Sequence, residues 1–71
     1  MTSRSLHPLI RALRYKRVTL SMTQTQLASR IPAHPGTLRH WECGTYIPPV
    51  PTLERWAKAL GYTLTLTEQK Q

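Results

Sequence analysis

Apolar residues recur at helical rather than strand spacing along most of this chain. Leu6, Leu9, Ile10, Leu13 and later Leu20 fall at helical intervals, and Pro8 is acceptable only in a first turn, so a first helix is predicted from about Pro8 to Thr19. Thr23 precedes Gln26 by three positions, the arrangement of a capping box in which hydroxyl and amide satisfy orphan backbone N–H groups. A second helix should therefore run from Gln24 to about Arg30, with Pro32 stopping it. Pro35 can open a third, since proline at the first helical position sacrifices no hydrogen bond, and Gly44 should end that helix after Cys43. The stretch from Thr45 to Pro51 contains Pro48, Pro49 and Pro51 and reads as a stiff connector. Thr52, Leu53, Trp56, Ala57 and Leu60 then form the apolar stripe of a fourth helix ended by Gly61. Beyond it, Tyr62, Leu64 and Leu66 alternate with Thr63, Thr65 and Thr67, a period of two that predicts a short strand before a frayed tail, Glu68 to Gln71.

Length and charge narrow the picture. A chain of 71 residues buries only about 60% of the surface it exposes when unfolded, which implies one domain, one small core and no room for a cofactor cavity. Ten Lys and Arg against three Asp and Glu give a formal charge of +7, pointing to an anionic partner. Before Glu42 stand Arg4, Arg11, Arg14, Lys16, Arg17, Arg30 and Arg39 with no acidic residue, whereas from Glu42 onward basic and acidic residues cancel. Cys43 is the only cysteine, so no intrachain disulfide is possible and a cytoplasmic setting fits best. No signal-peptide h-region or membrane-spanning run is present, and the expected protein is soluble, with no membrane partner.

Two short helices separated by a few residues, the second ending in Glu42-x-Gly44, have the spacing of a helix-turn-helix. From Leu9 to Leu64 the chain resembles the lambda-repressor and Cro type (the XRE family). The resemblance is carried by Arg17, Thr23-Gln24 with Leu27-Ala28, Leu38, Trp41-Glu42-x-Gly44, Pro48, Leu53 and Ala57-Lys58-Ala59-Leu60-Gly61. It implies an all-α, compact four- to five-helix DNA-binding domain over residues 1–61. Residues 62–71 would supply a short C-terminal β-strand and tail for dimerisation.

The resemblance also distributes roles. Thr23 and Gln24 open the second helix, whose electropositive end can grip a phosphate; the alternative for Gln24 is a cap that faces solvent. On the third helix Leu38 and Trp41 face the core, leaving positions 36, 39, 40 and 43 outward as the reading face. Arg39 can donate two hydrogen bonds to guanine, His40 can donate to a guanine acceptor or a phosphate, and Thr37 can meet a thymine methyl or a phosphate. The family carries polar base-reading residues at the start of this helix, but here the sequence is His34-Pro35-Gly36; the missing side chain of Gly36 would let the helix approach the duplex closely. Arg17 and Glu42 correspond to a structural ion pair joining the first helix to the end of the third. Thr45 and Tyr46 fall where relatives follow the phosphate backbone, although Tyr46 could equally cap the core.

Other functions find little support. His7, His34, His40 and Cys43 do not make a four-ligand set, so no metal and no cofactor are expected. With carboxylates only at Glu42, Glu54 and Glu68, no acid–base pair is expected, and an enzyme is rejected. The expected function is a sequence-specific operator-binding repressor or autoregulator, partnered by double-stranded DNA and by a second copy through Tyr62, Leu64 and Leu66. The alternatives are an antitoxin with a toxin partner, which co-purification of a second small protein would reveal, and, from another class, a basic helical module docking on a membrane or protein.

Overall fold

The computed structural model describes residues 6–66, so Arg4 and the segment Thr67 to Gln71 lie outside the described residues. Within them the chain forms α1 (Pro8–Thr19), α2 (Gln24–Arg30), α3 (Pro35–Cys43) and α4 (Val50–Ala59). Each start is set by a local device. His7 and His34 are N-caps of the same kind: Nδ1 of His7 accepts the Leu9 N–H and Nδ1 of His34 accepts the Gly36 N–H, both at 3.0 Å, with a proline following each cap. Histidine thus takes the part usually played by Ser, Asp or Asn. At α2 the reciprocal box is complete, with the Gln26 N–H on Thr23 Oγ1 at 3.0 Å and the Thr23 N–H on Gln26 Oε1 at 2.8 Å.

The ends are equally local. Gly44 closes α3 in the left-handed conformation (φ 84°) and Gly61 follows α4 at φ 89°, geometries that a Cβ would oppose. After α1 the same task falls to Ser21, at φ 56°, where a side chain is tolerated at a conformational cost.

Ile10 and Leu13 of α1, Leu27 and Ala28 of α2, Ile31, Leu38 and Trp41 of α3, and Trp56, Ala57 and Leu60 build one core. The second helix is central, packing on both α3 and α4, while α1 packs on α3. The Trp41 and Trp56 rings lie 6.2 Å apart, tilted by 32°. Trp56 is fully buried and its Nε1–H has no acceptor among the described residues.

Two expectations are corrected by the structure. The fourth helix begins at Val50, two positions before the expected Thr52, because Pro51 sits in the first turn, where its missing N–H has no intrahelical partner to lose. Residues 62–66 form no strand: the Tyr62 N–H is spent on Ala57 O at 2.8 Å, and Leu64 folds back, half-buried, onto the domain's own core. Lys16 Nζ lies 5.6 Å from the centre of the Tyr62 ring, a second tie between this segment and the domain. Separately, an open apolar groove of about 490 Å³ runs between the start of α1 and the α3–α4 loop, lined by Leu6, Leu9, Ile10, Trp41, Ile47 and Leu53. Leu9 and Leu20, at helical spacing with the core residues of α1, are 39% and 47% exposed.

Candidate nucleic-acid interface

The helical period divides α3 into two faces. Leu38, Trp41 and Glu42 are buried; Thr37, Arg39, His40 and Cys43 are exposed, and Pro35 and Gly36 are half-buried at the entry. The buried face is held by a polar network as well as by apolar contact. Arg17 grips Glu42 with Nε to Oε2 at 2.7 Å and Nη2 to Oε1 at 2.9 Å, while its Nη1 donates to Met22 O at 2.7 Å. Gln24 Nε2 adds a third donor to the carboxylate, reaching Glu42 Oε1 at 3.0 Å. One carboxylate on α3 therefore collects α1 and α2. Glu42 is 1% exposed, and a charge so deep is tolerable only when its lone pairs are this fully engaged.

The two readings of Gln24, phosphate grip or solvent-facing cap, meet a third arrangement: its side chain turns inward to Glu42, and the cap is made by Thr23 and Gln26. Thr23 is exposed at that end. The carbonyl of Met22 as an arginine acceptor was not foreseeable from spacing; the five N–H donors of a buried Arg, which two carboxylate oxygens cannot exhaust, were the only hint.

At the entry to α3 the exposed His34 ring is committed by its cap. Since Nδ1 accepts, the ring proton sits on Nε2, leaving one outward donor. A Cβ added at Gly36 would lie 3.2 Å from His34 Nδ1 and 3.5 Å from Cε1, so the glycine makes room for the histidine cap. The first turn of the helix accordingly offers no side-chain polar group of its own at positions 35 and 36.

At the far end, Thr45 and Tyr46 are both exposed. The Tyr46 ring meets His40 edge to face, centroids 5.3 Å apart at 64°. The structure thus assembles His34, Gly36, Thr37, Arg39, His40, Thr45 and Tyr46 along α3 and its exit, with Gln24 tied to that helix from behind. Tyr62, Leu64 and Leu66 belong to a different region, after α4.

Among the described residues, no three His, Cys, Asp or Glu side chains gather as a metal site, and no helix is long and apolar enough to cross a membrane. No curated protein and no solved structure matches the chain. A family model, described as helix-turn-helix, matches residues 13–66, from the core leucine of α1 through all later helices. The chain belongs to the helix-turn-helix family of the lambda-repressor (XRE) type, a family of DNA-binding transcription regulators.

Proposed function

We propose that the chain is an operator-binding repressor or autoregulator that acts as a homodimer and lays α3 in the major groove, reading base edges through Arg39 and His40. The observation that carries this reading is the two-faced burial of α3: its inner face is locked by Leu38, Trp41 and Glu42, and its outer face presents Thr37, Arg39 and His40 to solvent. A helix with its side chains is about 10–12 Å across, which suits a major groove about 12 Å wide. Arg39 fits the bidentate pattern of guanine O6 and N7. Readout is displaced toward the second half of the helix, because Pro35 and Gly36 bring no polar side chain and His34 has spent Nδ1 on its cap.

The exposed cations Arg11, Arg14, Arg30 and Arg39 supply sequence-independent attraction to phosphates. Dimerisation through the segment after α4 is supported by the exposure of Tyr62, at 44%, and of Leu66, which no described residue covers. Pairing two such segments across a two-fold axis would shelter Leu66 and double the length of DNA read.

Selection of bound duplexes from a random pool tests the reading. Two inverted half-sites about one helical turn apart are expected; a pool with no enriched sequence would overturn it.

A further inference from the structure

We propose that Tyr46 is a positioning residue, whose ring fixes the orientation of the His40 imidazole on the outer face of α3 and thereby sets the base preference that His40 contributes. The inference rests on the reading of α3 as the base-contacting helix, and it adds a residue that acts on DNA through another side chain.

The arrangement begins with the backbone. Gly44, in the left-handed conformation, turns the chain back, and the reversal is secured by the Gly44 N–H on Trp41 O at 3.1 Å and the Thr45 N–H on His40 O at 2.9 Å. The second bond ties the residue before Tyr46 to His40 itself. The returning chain brings the two rings to 5.3 Å and 64°, the edge-to-face geometry that the aromatic quadrupole favours. Tyr46 is 61% exposed and His40 is exposed as well, so no enclosing core dictates where the imidazole points. The Tyr46 ring is the aromatic neighbour that does.

Orientation matters because hydrogen bonds to base edges are directional, and a ring held in place before docking surrenders less freedom on docking. It matters more here than in a helix with a polar first turn. With nothing polar on the side chains at 35 and 36, Arg39 and His40 are the two nitrogen-bearing side chains that α3 itself contributes to its outer face.

The test combines Tyr46→Ala, Tyr46→Phe, His40→Ala and the double variant Tyr46→Ala/His40→Ala. Each is assayed by competition among operator duplexes altered one base pair at a time, and by the NMR shifts of the His40 ring protons in the free protein. Tyr46→Ala is expected to lower discrimination about two- to tenfold, the range of an aromatic pair, at the base pair where His40→Ala lowers it, and to add nothing in the double variant. The His40 shifts should move in Tyr46→Ala, and Tyr46→Phe should restore both shifts and discrimination. Two results overturn the proposal while leaving the reading of α3 intact. One is that Tyr46→Ala and Tyr46→Phe weaken all duplexes alike, the mark of a hydroxyl on a phosphate; the other is that Tyr46→Ala spares a preference that His40→Ala abolishes. If His40→Ala changes no preference at all, the assignment of His40 as a reader fails, and the proposal with it.

Discussion

Arg17 holds Glu42 through two parallel hydrogen bonds, of 2.7 and 2.9 Å, across twenty-five positions of sequence. The pair is the single polar joint between α1 and α3, among the described residues, and both side chains are almost withdrawn from water, at 12% and 2% exposure. Truncating one partner strands the other. Glu42→Ala is expected to destabilise the domain by about 3–5 kcal/mol, comparable with the whole stability of a small protein at about 5 kcal/mol or little more. Arg17→Lys should also be destabilising, because an ammonium cannot reproduce the fork that spans both carboxylate oxygens. Urea titration followed by circular dichroism measures both, and a Glu42→Ala protein within about 1 kcal/mol of the parent would show that the joint does not hold the helices.

Gly36→Ala pits two effects against each other. Alanine favours a helix interior by about 1 kcal/mol over glycine, but the new Cβ would press on His34 Nδ1 from 3.2 Å and disturb the α3 cap. The gain should therefore be small or absent in the parent protein and should reach its full size in a His34→Ala background, where the ring is gone. Thermal unfolding of the four proteins in this cycle reads the coupling, and simple additivity would dissociate the glycine from the cap.

Affinity and discrimination should respond to different residues. Arg39→Ala is expected to flatten preference at one base pair by about 1–3 kcal/mol. Gln24→Ala removes a donor from the buried carboxylate, so about 1 kcal/mol or somewhat more of stability should go, with the preference profile among duplexes unchanged. For the parent, log affinity against log salt should fall with a slope of about −0.9 per phosphate neutralised. Competition assays at several salt concentrations resolve these effects, and an Arg39→Ala protein with an unaltered preference profile would place the reading face elsewhere.

Leu64 and Leu66, two positions apart, should behave oppositely. Leu64 is half-buried on the core, so Leu64→Ala should cost about 1 kcal/mol of monomer stability, whereas Leu66 is fully exposed and Leu66→Ser should leave the monomer within about 0.5 kcal/mol. If residues after α4 join two copies, Leu66→Ser lowers the mass in solution and the affinity for paired half-sites, with binding to one half-site retained. Sedimentation of the two variants decides, and a Leu66→Ser protein as dimeric as the parent would locate the contact elsewhere.

The helical architecture was legible in the sequence wherever a boundary is written into neighbouring residues. Thr23 with Gln26, Pro35 and Gly44 each act within one turn, and the bounds of α1, α2 and α3 follow from such signals. The start of α4 was obscured because proline both breaks helices and opens them, and only the register of Pro51 distinguishes the two. The segment after Gly61 departs from its alternating pattern for a different reason. Alternation describes what a strand would need, but the backbone had a closer partner in the last turn of α4. Side-chain destinations were the least legible: the inward turn of Gln24 depends on a carboxylate eighteen positions away, and the meeting of His40 with Tyr46 depends on the reversal at Gly44. Neither leaves a periodic trace.

The closeness of Trp41 to Trp56 gives the molecule a built-in optical gauge. Trp41 stands on the buried side of α3, Trp56 on α4, and their rings are 6.2 Å apart. Indole emission depends on the polarity and quenching around each ring, so any loosening of α3 from α4 changes both chromophores together. The fluorescence of the unlabelled protein therefore reports whether α3 is seated, and a titration with DNA can follow that seating without a probe on the face that meets the duplex.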